Sequence, residues 1–424
     1  MTHGLAELIQ KQRWFGAKSR TITDVEILDS AELPATGTVL HLVSIHYAEG
    51  PTDTYFVPLH GTNDAVTDQA TCATLLSLIE NESQLPTRHG RIQGRRSGFR
   101  PTHASLLQRL VKSEQSNSSI IFGDLLIMKL FRRQQPGENP DCELSRYLTE
   151  HTAFRRIPPF AGSIDYYRGA AEPYTLAMLQ GLVANEGDGL NWTLQQIAQS
   201  PSPYDYSDAA AILGRRTAEM HAALATFDPE PLEPANLQDV ANDMARNATR
   251  TLARLDQPLD ANFVLARFDR LRNLNPQSLR IRIHGDYHLG QVLRVPGDFV
   301  ILDFEGEPLK SLTERRAKHC PLKDVAGMLR SFSYVSYIGF NDKALEPQRH
   351  AWEQAVSAAF LQAYKQAAGD APFLPVAESA FDTLLQAYIL DKAFYELNYE
   401  MDNRPDWIRI PLAAVAGQIS SHNF

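Results

Sequence analysis

Cysteine is scarce in this chain. Cys72, Cys142 and Cys320 are the only three in 424 residues, and no CxxC pair occurs. That is too few for a disulfide framework or a zinc site, and it fits a reducing compartment. Long apolar runs are also missing, none approaching the ~20 residues that span a bilayer. Met1 to Trp14 is amphipathic and lacks the apolar core and small-residue cleavage site of a secretory leader. Nor is there an excess of positive charge: 41 Lys and Arg stand against 50 Asp and Glu, a net of −9. Nucleic-acid binding is therefore not the expected activity, and any phosphate must be held by a local, organised site. Internal repeats, low-complexity tracts, HExxH, GxSxG and EF-hand loops are absent. Gly16-Ala17-Lys18-Ser19 has the end of a P-loop without its glycine spacing or the strand before it. The expectation is a soluble, cytoplasmic chain with no membrane or nucleic-acid partner, long enough for two or three domains.

What is present is ordinary globular composition, 43% hydrophobic and 21% charged. Val39 to Tyr47 and Thr54 to Leu59 read as strands around Glu49-Gly50-Pro51, and a helix follows from Thr67 to Glu80. The basic stretch Arg91 to Pro101 reads as a solvated linker. Strands are expected again at Leu106 to Val111, Ser119 to Phe122, Leu125 to Phe131 and Tyr174 to Gln180, with a helix after Asn139-Pro140. Beyond Tyr206 helical spacing dominates, at Ala209 to Ala225, Val264 to Leu271 and Gln354 to Ala367. Short strands interrupt it at Arg280 to His284 and Phe299 to Phe304. A β-rich first half followed by a helical second half describes an α+β chain with two lobes.

The most informative stretches are Ile283-His284-Gly285-Asp286-Tyr287-His288-Leu289-Gly290-Gln291 and Ile301-Leu302-Asp303-Phe304-Glu305-Gly306-Glu307. Each is a short apolar strand ending in a carboxylate-bearing loop. In phosphoryl transfer one loop carboxylate takes the acceptor hydroxyl proton, while an amide five residues on and a second Asp hold the metal. Protein kinases share that spacing and an Asp-Phe-Gly segment; here Gln291 replaces the amide Asn and Glu305 the last Gly. Solvated loop carboxylates would explain one Asp but not the whole set.

Lys129 is the one charge in the apolar run Leu125 to Phe131, costly unless paired. It reads either as a strand-edge charge or as a phosphate ligand with Glu143, on the next helix, as partner. The loop Glu114 to Ser118 lies where a glycine-rich phosphate cover would sit, but contains no Gly, and a plain hairpin turn is the alternative. Near the C-terminus, Lys392, Tyr395, Glu396 and Tyr399 share one helical face, with Arg404 and Trp407 beyond. Aromatics mixed with charges suit a sugar, though a helix packing its Tyr rings on neighbours reads equally well.

With these residues the chain resembles the bacterial maltokinases, of the aminoglycoside-phosphotransferase-like branch of the kinase superfold. The likeness runs from Gln12-Arg13-Trp14-Phe15 through Lys129-Leu130-Phe131 and Leu213-Gly214 with His221. It continues through His284-Gly285-Asp286, Asp303-Phe304-Glu305-Gly306-Glu307-Pro308, Asp324-Val325-Ala326-Gly327 and Asn403-Arg404-Pro405. It implies a bilobal, eukaryotic-protein-kinase-like fold with a cap subdomain at 1–95, a nucleotide-binding subdomain at 96–182 and a helical acceptor lobe at 183–424. The implied activity is transfer of the ATP γ-phosphoryl group to the anomeric hydroxyl of maltose, giving maltose 1-phosphate, an α-1,4-glucan precursor.

By the same resemblance Asp286 is the base, and Gln291 and Asp303, assisted by Glu305, are the Mg²⁺ ligands. Lys129 with Glu143 holds the α/β-phosphates under Ser116 and Asn117, and Met178, Gln180 and Leu182 meet adenine. His288, Lys392, Tyr395, Glu396, Tyr399, Arg404 and Trp407 fall on the sugar. Tyr287 stands where Leu is commoner, and Asn398, Met401 and Asp402 depart from the family's tail. Some maltokinase-like proteins act on glucosamine, which Asp402 or Glu400 would receive by its amine. The alternatives are thus an amino-sugar kinase forming glucosamine 6-phosphate, an aminoglycoside-type phosphotransferase, or a non-catalytic scaffold.

Overall fold

Thr38–Tyr47 and Asp53–His60 are rich in apolar and β-branched residues, and both strands bury side chains on both faces: Leu40, Leu42 and Phe56 in one core, Val43, Ile45, Tyr55 and Val57 in another. In the computed structural model these strands are the centre of the first of the two large sheets. The structure describes residues 2–99, 108–111, 116–200, 204–256, 259–308 and 310–420, which divide into a unit ending at Ala184 and a unit beginning at Asn185.

The first unit runs α1 (Thr2–Lys11), β1 (Ile22–Leu33), β2 (Thr38–Tyr47), β3 (Asp53–His60), β4 (Asn63–Asp64), α2 (Gln69–Glu80), β5 (Gln84–Pro86) and β6 (Arg91–Arg96). It continues β7 (Gln108–Leu110), β8 (Asn117–Phe122), β9 (Leu126–Phe131), β10 (Arg133–Gln134), α3 (Pro140–His151), β11 (Phe160–Tyr167) and β12 (Tyr174–Gly181). One antiparallel sheet has the order β1-β2-β3-β10, with β4 beside β3. The other has the order β5-β6-β11-β12-β9-β8-β7. Arg132, at the step from β9 to β10, is fully buried. Its guanidinium meets Asp64 at 2.8 Å and Ser118 at 2.9 Å, and lies over the Trp14 ring.

The expected linker at Arg91 to Pro101 is corrected: Arg91–Arg96 is strand β6, paired along Gly162 to Tyr167 of β11. Ile92 and Gly94 turn inward while Arg91, Arg95 and Arg96 keep their charges at the surface, the Arg91 guanidinium over the Tyr167 ring at 4.7 Å. Gly94 is required there, because a Cβ would lie 1.9 Å from the Leu78 carbonyl of α2.

The second unit carries α4 (Gly189–Gln199), α5 (Tyr204–Leu224), β13 (Glu230–Pro231), α6 (Pro234–Leu252), α7 (Ala261–Asp269) and β14 (Leu279–Arg280). The hairpin β15 (Val292–Val295) and β16 (Asp298–Ile301) follows, then α8 (Leu312–Arg315), α9 (Leu322–Gly339), α10 (Glu346–Ala368), α11 (Glu378–Asn403) and α12 (Arg409–Ser420). The helix α5 packs along α10, and α11 against α9 and α6. Among the described residues no helix is long and apolar enough to cross a membrane.

Two expected strands are shorter than anticipated. Leu279 and Arg280 pair with Pro231 and Glu230, and Ile281 makes one bridge to His319. After that no strand pairing is made among the described residues, and the backbone N–H groups of His284 and Gly285 turn to the Asp324 carboxylate. The second, expected from Phe299 to Phe304, is strand from Asp298 to Ile301 and breaks before Asp303, whose φ of +63° no strand tolerates.

Candidate active site

In the first unit, the turn at Gly123 returns β8 onto β9, and β9 lies between β8 and β12. Lys129 therefore sits in an interior strand, in register with Ser119 on one side and Met178 on the other, not at a sheet edge. Its ammonium lies 3.2 Å from Asp141 Oδ2. Asp141 is the second residue of α3, whose start is set by Asn139 as cap and Pro140 in the first turn, where acidic groups favour the helix dipole. Glu143 follows in the same turn and is buried. The Met178 side chain packs in a small core with Phe131, Cys142 and Phe160. Gln180 donates to Ser145 at 3.2 Å, and the Leu182 N–H donates to the Leu125 carbonyl. Ser116 is exposed and Asn117 half-buried at the start of β8, while Glu114 and Gln115 lie outside the described residues.

In the second unit the loop bearing Asp286 is held from beneath. The buried Asp324 carboxylate accepts from the N–H of His284 at 2.8 Å and of Gly285 at 2.9 Å, and meets His221 Nε2 at 3.2 Å. Burial alone would push the Asp324 carboxyl up. The His221 contact, the positive potential of His221 and His284 and the Gly285 N–H outweigh it and hold it below its ordinary value. His284 Nε2 faces the Leu302 carbonyl at 2.7 Å, so it carries the proton, and Nδ1 accepts from the Asp286 N–H. The two loops touch at Gly285 and Gly306. Gly285 has φ +86°, and a Cβ on it would stand 3.1 Å from the Gly306 Cα.

On this frame the Asp286 carboxylate faces two side chains: Lys392 of α11 at 3.4 Å and His288 Nε2 at 3.9 Å. His288 Nδ1 accepts from the Gly290 N–H. Burial lowers the His288 pKa first of all, with Lys392 adding to it against the pull of Asp286. Lys392 is also partly buried, which works against its charge, but Asp286, Glu307 and Glu396 hold its pKa well above normal. Gln291 Nε2 donates to Asp303 Oδ2 at 3.1 Å, bringing the amide and second carboxylate together. Glu305 faces Arg315, 3.7 Å away. Beside Lys392 opens a cavity of about 400 Å³, walled by Gly285 and Tyr287, by Glu307 and Lys323, and by Tyr388, Asp391, Lys392 and Tyr395 of α11.

The structure thus brings together Asp286, His288 and Lys392, and separately Gln291 and Asp303. It places Tyr395 on the cavity wall beside the Lys392 ammonium. It does not bring Glu396, Tyr399, Arg404 or Trp407 to that wall. Glu396 accepts from Arg330 at 2.7 and 2.9 Å inside the α9–α11 contact. Arg404 is clamped to Glu400 at 2.7 Å and lies over Tyr399 and Trp407, and Trp407 stacks on Tyr334. The carboxylates expected to receive an amine are likewise engaged, Glu400 by Arg404 and Tyr334, and Asp402 by Arg254. Asp324, His221 and Asp391 carried no assigned role in the sequence. Asp324 looks there like any acid in a first helical turn, and Asp391 like an acid beside a lysine.

Comparison with known proteins bears on this geometry. Residues 9–84 match the maltokinase N-terminal cap domain and residues 108–306 the phosphotransferase enzyme family. A glucosamine kinase of Streptacidiphilus jiangxiensis is 27% identical over 72% of this chain and 72% of its own length. One of Mycolicibacterium smegmatis is 26% identical over 73% of this chain and 78% of its own. A solved glucosamine kinase in complex with glucosamine, ADP and inorganic phosphate superposes with a TM-score of 0.75 at 22% identity, over 97% of this chain and 98% of its own. The fold is the bilobal α+β kinase-like one, β-rich in its first part and largely helical in its second. The chain is a kinase-like enzyme of the aminoglycoside-phosphotransferase superfamily with an N-terminal cap-like domain.

The maltose reading is overturned here. The two relatives above that match over 72% and 73% of the chain by sequence, and the solved structure that superposes over 97% of it, are named glucosamine kinases. In the tail, the Arg404 guanidinium lies over both Tyr399 and Trp407, and Trp407 stacks on Tyr334.

Proposed function

We propose that the chain is an ATP-dependent amino-sugar kinase, transferring the γ-phosphoryl group to the 6-hydroxyl of glucosamine. The observation that carries the reading is the Asp286 carboxylate paired with Lys392 at the edge of a polar cavity, with the Gln291–Asp303 pair in the same unit. A cavity of about 400 Å³ is within the range of small-ligand sites. The names of the relatives supply the acceptor class.

In this reading Asp286 takes the proton of the attacking hydroxyl as its oxygen bonds the γ-phosphorus. The bond to the β–γ bridging oxygen breaks and ADP leaves. Lys392 fixes the orientation of the carboxylate, and neutral His288 donates toward it. Lys129 and Glu143, with Ser116 and Asn117, serve the nucleotide phosphates, and the strand end at Gln180 and Leu182 serves the base. The oxygen donors of Gln291, Asp303 and Glu305 fit a hard divalent cation and would hold Mg²⁺, which would supply positive charge against the phosphates.

The test is incubation with Mg-ATP and glucosamine, glucose, maltose or an aminoglycoside, with phosphorus NMR of the products. A phosphomonoester on carbon six of glucosamine is expected. A product phosphorylated at an anomeric carbon, or turnover confined to sugars without an amine, refutes the reading.

A further inference from the structure

The charged side chains around the cavity pair off, with one exception. Lys392 meets Asp286 at 3.4 Å, Lys323 meets Glu307 at 3.5 Å, and Lys310 meets Glu314 at 3.7 Å. Asp324 holds His221 and two backbone N–H groups. Asp391, on α11 next to Lys392, also lines the cavity, yet its side chain makes no hydrogen bond or ion pair with any described residue. A partly buried carboxylate without a partner is costly, and such a group is retained where a ligand completes it.

We infer that Asp391 determines acceptor specificity: its carboxylate receives the ammonium group of an amino sugar held in the cavity, one helical position from the lysine that faces Asp286. The inference rests on the amino-sugar reading and names the residue that enforces it. A primary ammonium supplies the positive charge and N–H donors that Asp391 lacks, in charge-assisted hydrogen bonds. A hydroxyl at the same carbon supplies one donor and no charge, so the neutral sugar leaves the carboxylate uncompensated. The electrostatics agree: burial pushes the Asp391 carboxyl up to about 6, and Lys323, Lys310 and Lys392 only partly restrain it against Glu307. At neutral pH it is mostly ionised and ready for a cation.

The experiment compares wild type with Asp391→Asn, which keeps shape and removes charge, and with Asp391→Ala, using glucosamine and glucose as acceptors under Mg-ATP. Wild type should favour glucosamine. Both variants should lose about 10- to 100-fold of that preference in kcat/KM, chiefly through KM for glucosamine, with KM for glucose little changed. Asp391→Asn should melt at the same temperature as wild type or higher, which separates lost recognition from lost folding. A glucosamine-to-glucose ratio unchanged in both variants overturns the inference while leaving the kinase reading intact. If wild type does not phosphorylate glucosamine, the kinase reading falls and calorimetric titration of glucosamine decides the inference. Binding to wild type that is lost in Asp391→Asn supports it, and binding to neither or equally to both overturns it.

Discussion

Lys392, on a helix, holds its ammonium 3.4 Å from the carboxylate of Asp286, on a loop 106 residues earlier in the chain. The pair is partly buried, so its attraction is less screened than at the surface. Replacing Asp286 with Asn should lower kcat by about three orders of magnitude or more while nucleotide binding persists. Lys392→Met should lower kcat by about 10- to 100-fold with the nucleotide KM unchanged. Steady-state kinetics with varied ATP check both.

Asp324 anchors the loop that carries Asp286. Asp324→Asn keeps the shape but weakens two backbone hydrogen bonds and removes the partner of His221. A loss of about 2–4 kcal/mol in unfolding free energy is expected, together with a fall in kcat. Urea denaturation beside kinetics would show it. A variant equally stable and equally active would mean that the loop holds its geometry without the carboxylate.

Gly285→Ala tests the contact between the two loops. Its φ of +86° and the 3.1 Å approach of Gly306 leave no relaxed place for a methyl group. About 1–3 kcal/mol of strain or displacement is expected, seen as a lower melting temperature and reduced kcat.

Two groups near the cavity titrate in opposite senses. His319 is pushed down to about 3 by burial, with Lys323 adding to it. Its folded value lies below the unfolded ~6.5, so the stability linked to it is present above pH 6.5 and is lost as pH falls toward 3. Asp391, raised to about 6 from an unfolded ~3.8, does the reverse: its contribution is present below pH 3.8 and is lost as pH rises through 6. Melting temperatures from pH 4 to 8 should therefore fall less steeply at acid pH in His319→Gln than in wild type. Asp391→Asn should gain most over wild type at pH 7 to 8. A parallel set of curves would contradict both assignments.

The carboxylate loops were legible because their signal is local: a short apolar strand, then Asp286 and Gln291 or Asp303 within a few residues. The strands β8, β9 and β12 were legible for the same reason. The strand β1 escaped because register shifts at Ile22/Asp24 and Ile27/Asp29 break its alternation. The strand β6 escaped because its arginines look like a solvated run until Tyr167 and the Leu78 carbonyl pack against it. The C-terminal face stayed open between sugar binding and helix packing for a third reason. Glu396 and Arg330 lie 66 residues apart in sequence, as do Glu400 and Tyr334, and neither pairing leaves a mark on helical spacing.

The sequence by itself determined the two-part α+β order and singled out Asp286, Gln291 and Asp303 by their spacing in two strand-end loops. Strand period and loop spacing are properties of neighbouring residues, so one chain suffices to read them. Only the tertiary structure decided which charges are free to act. Burial and pairing depend on what distant segments bring alongside; among the described residues they engage Glu396, Glu400 and Asp402 and give Asp391, in the cavity wall, no hydrogen-bond or ion-pair partner.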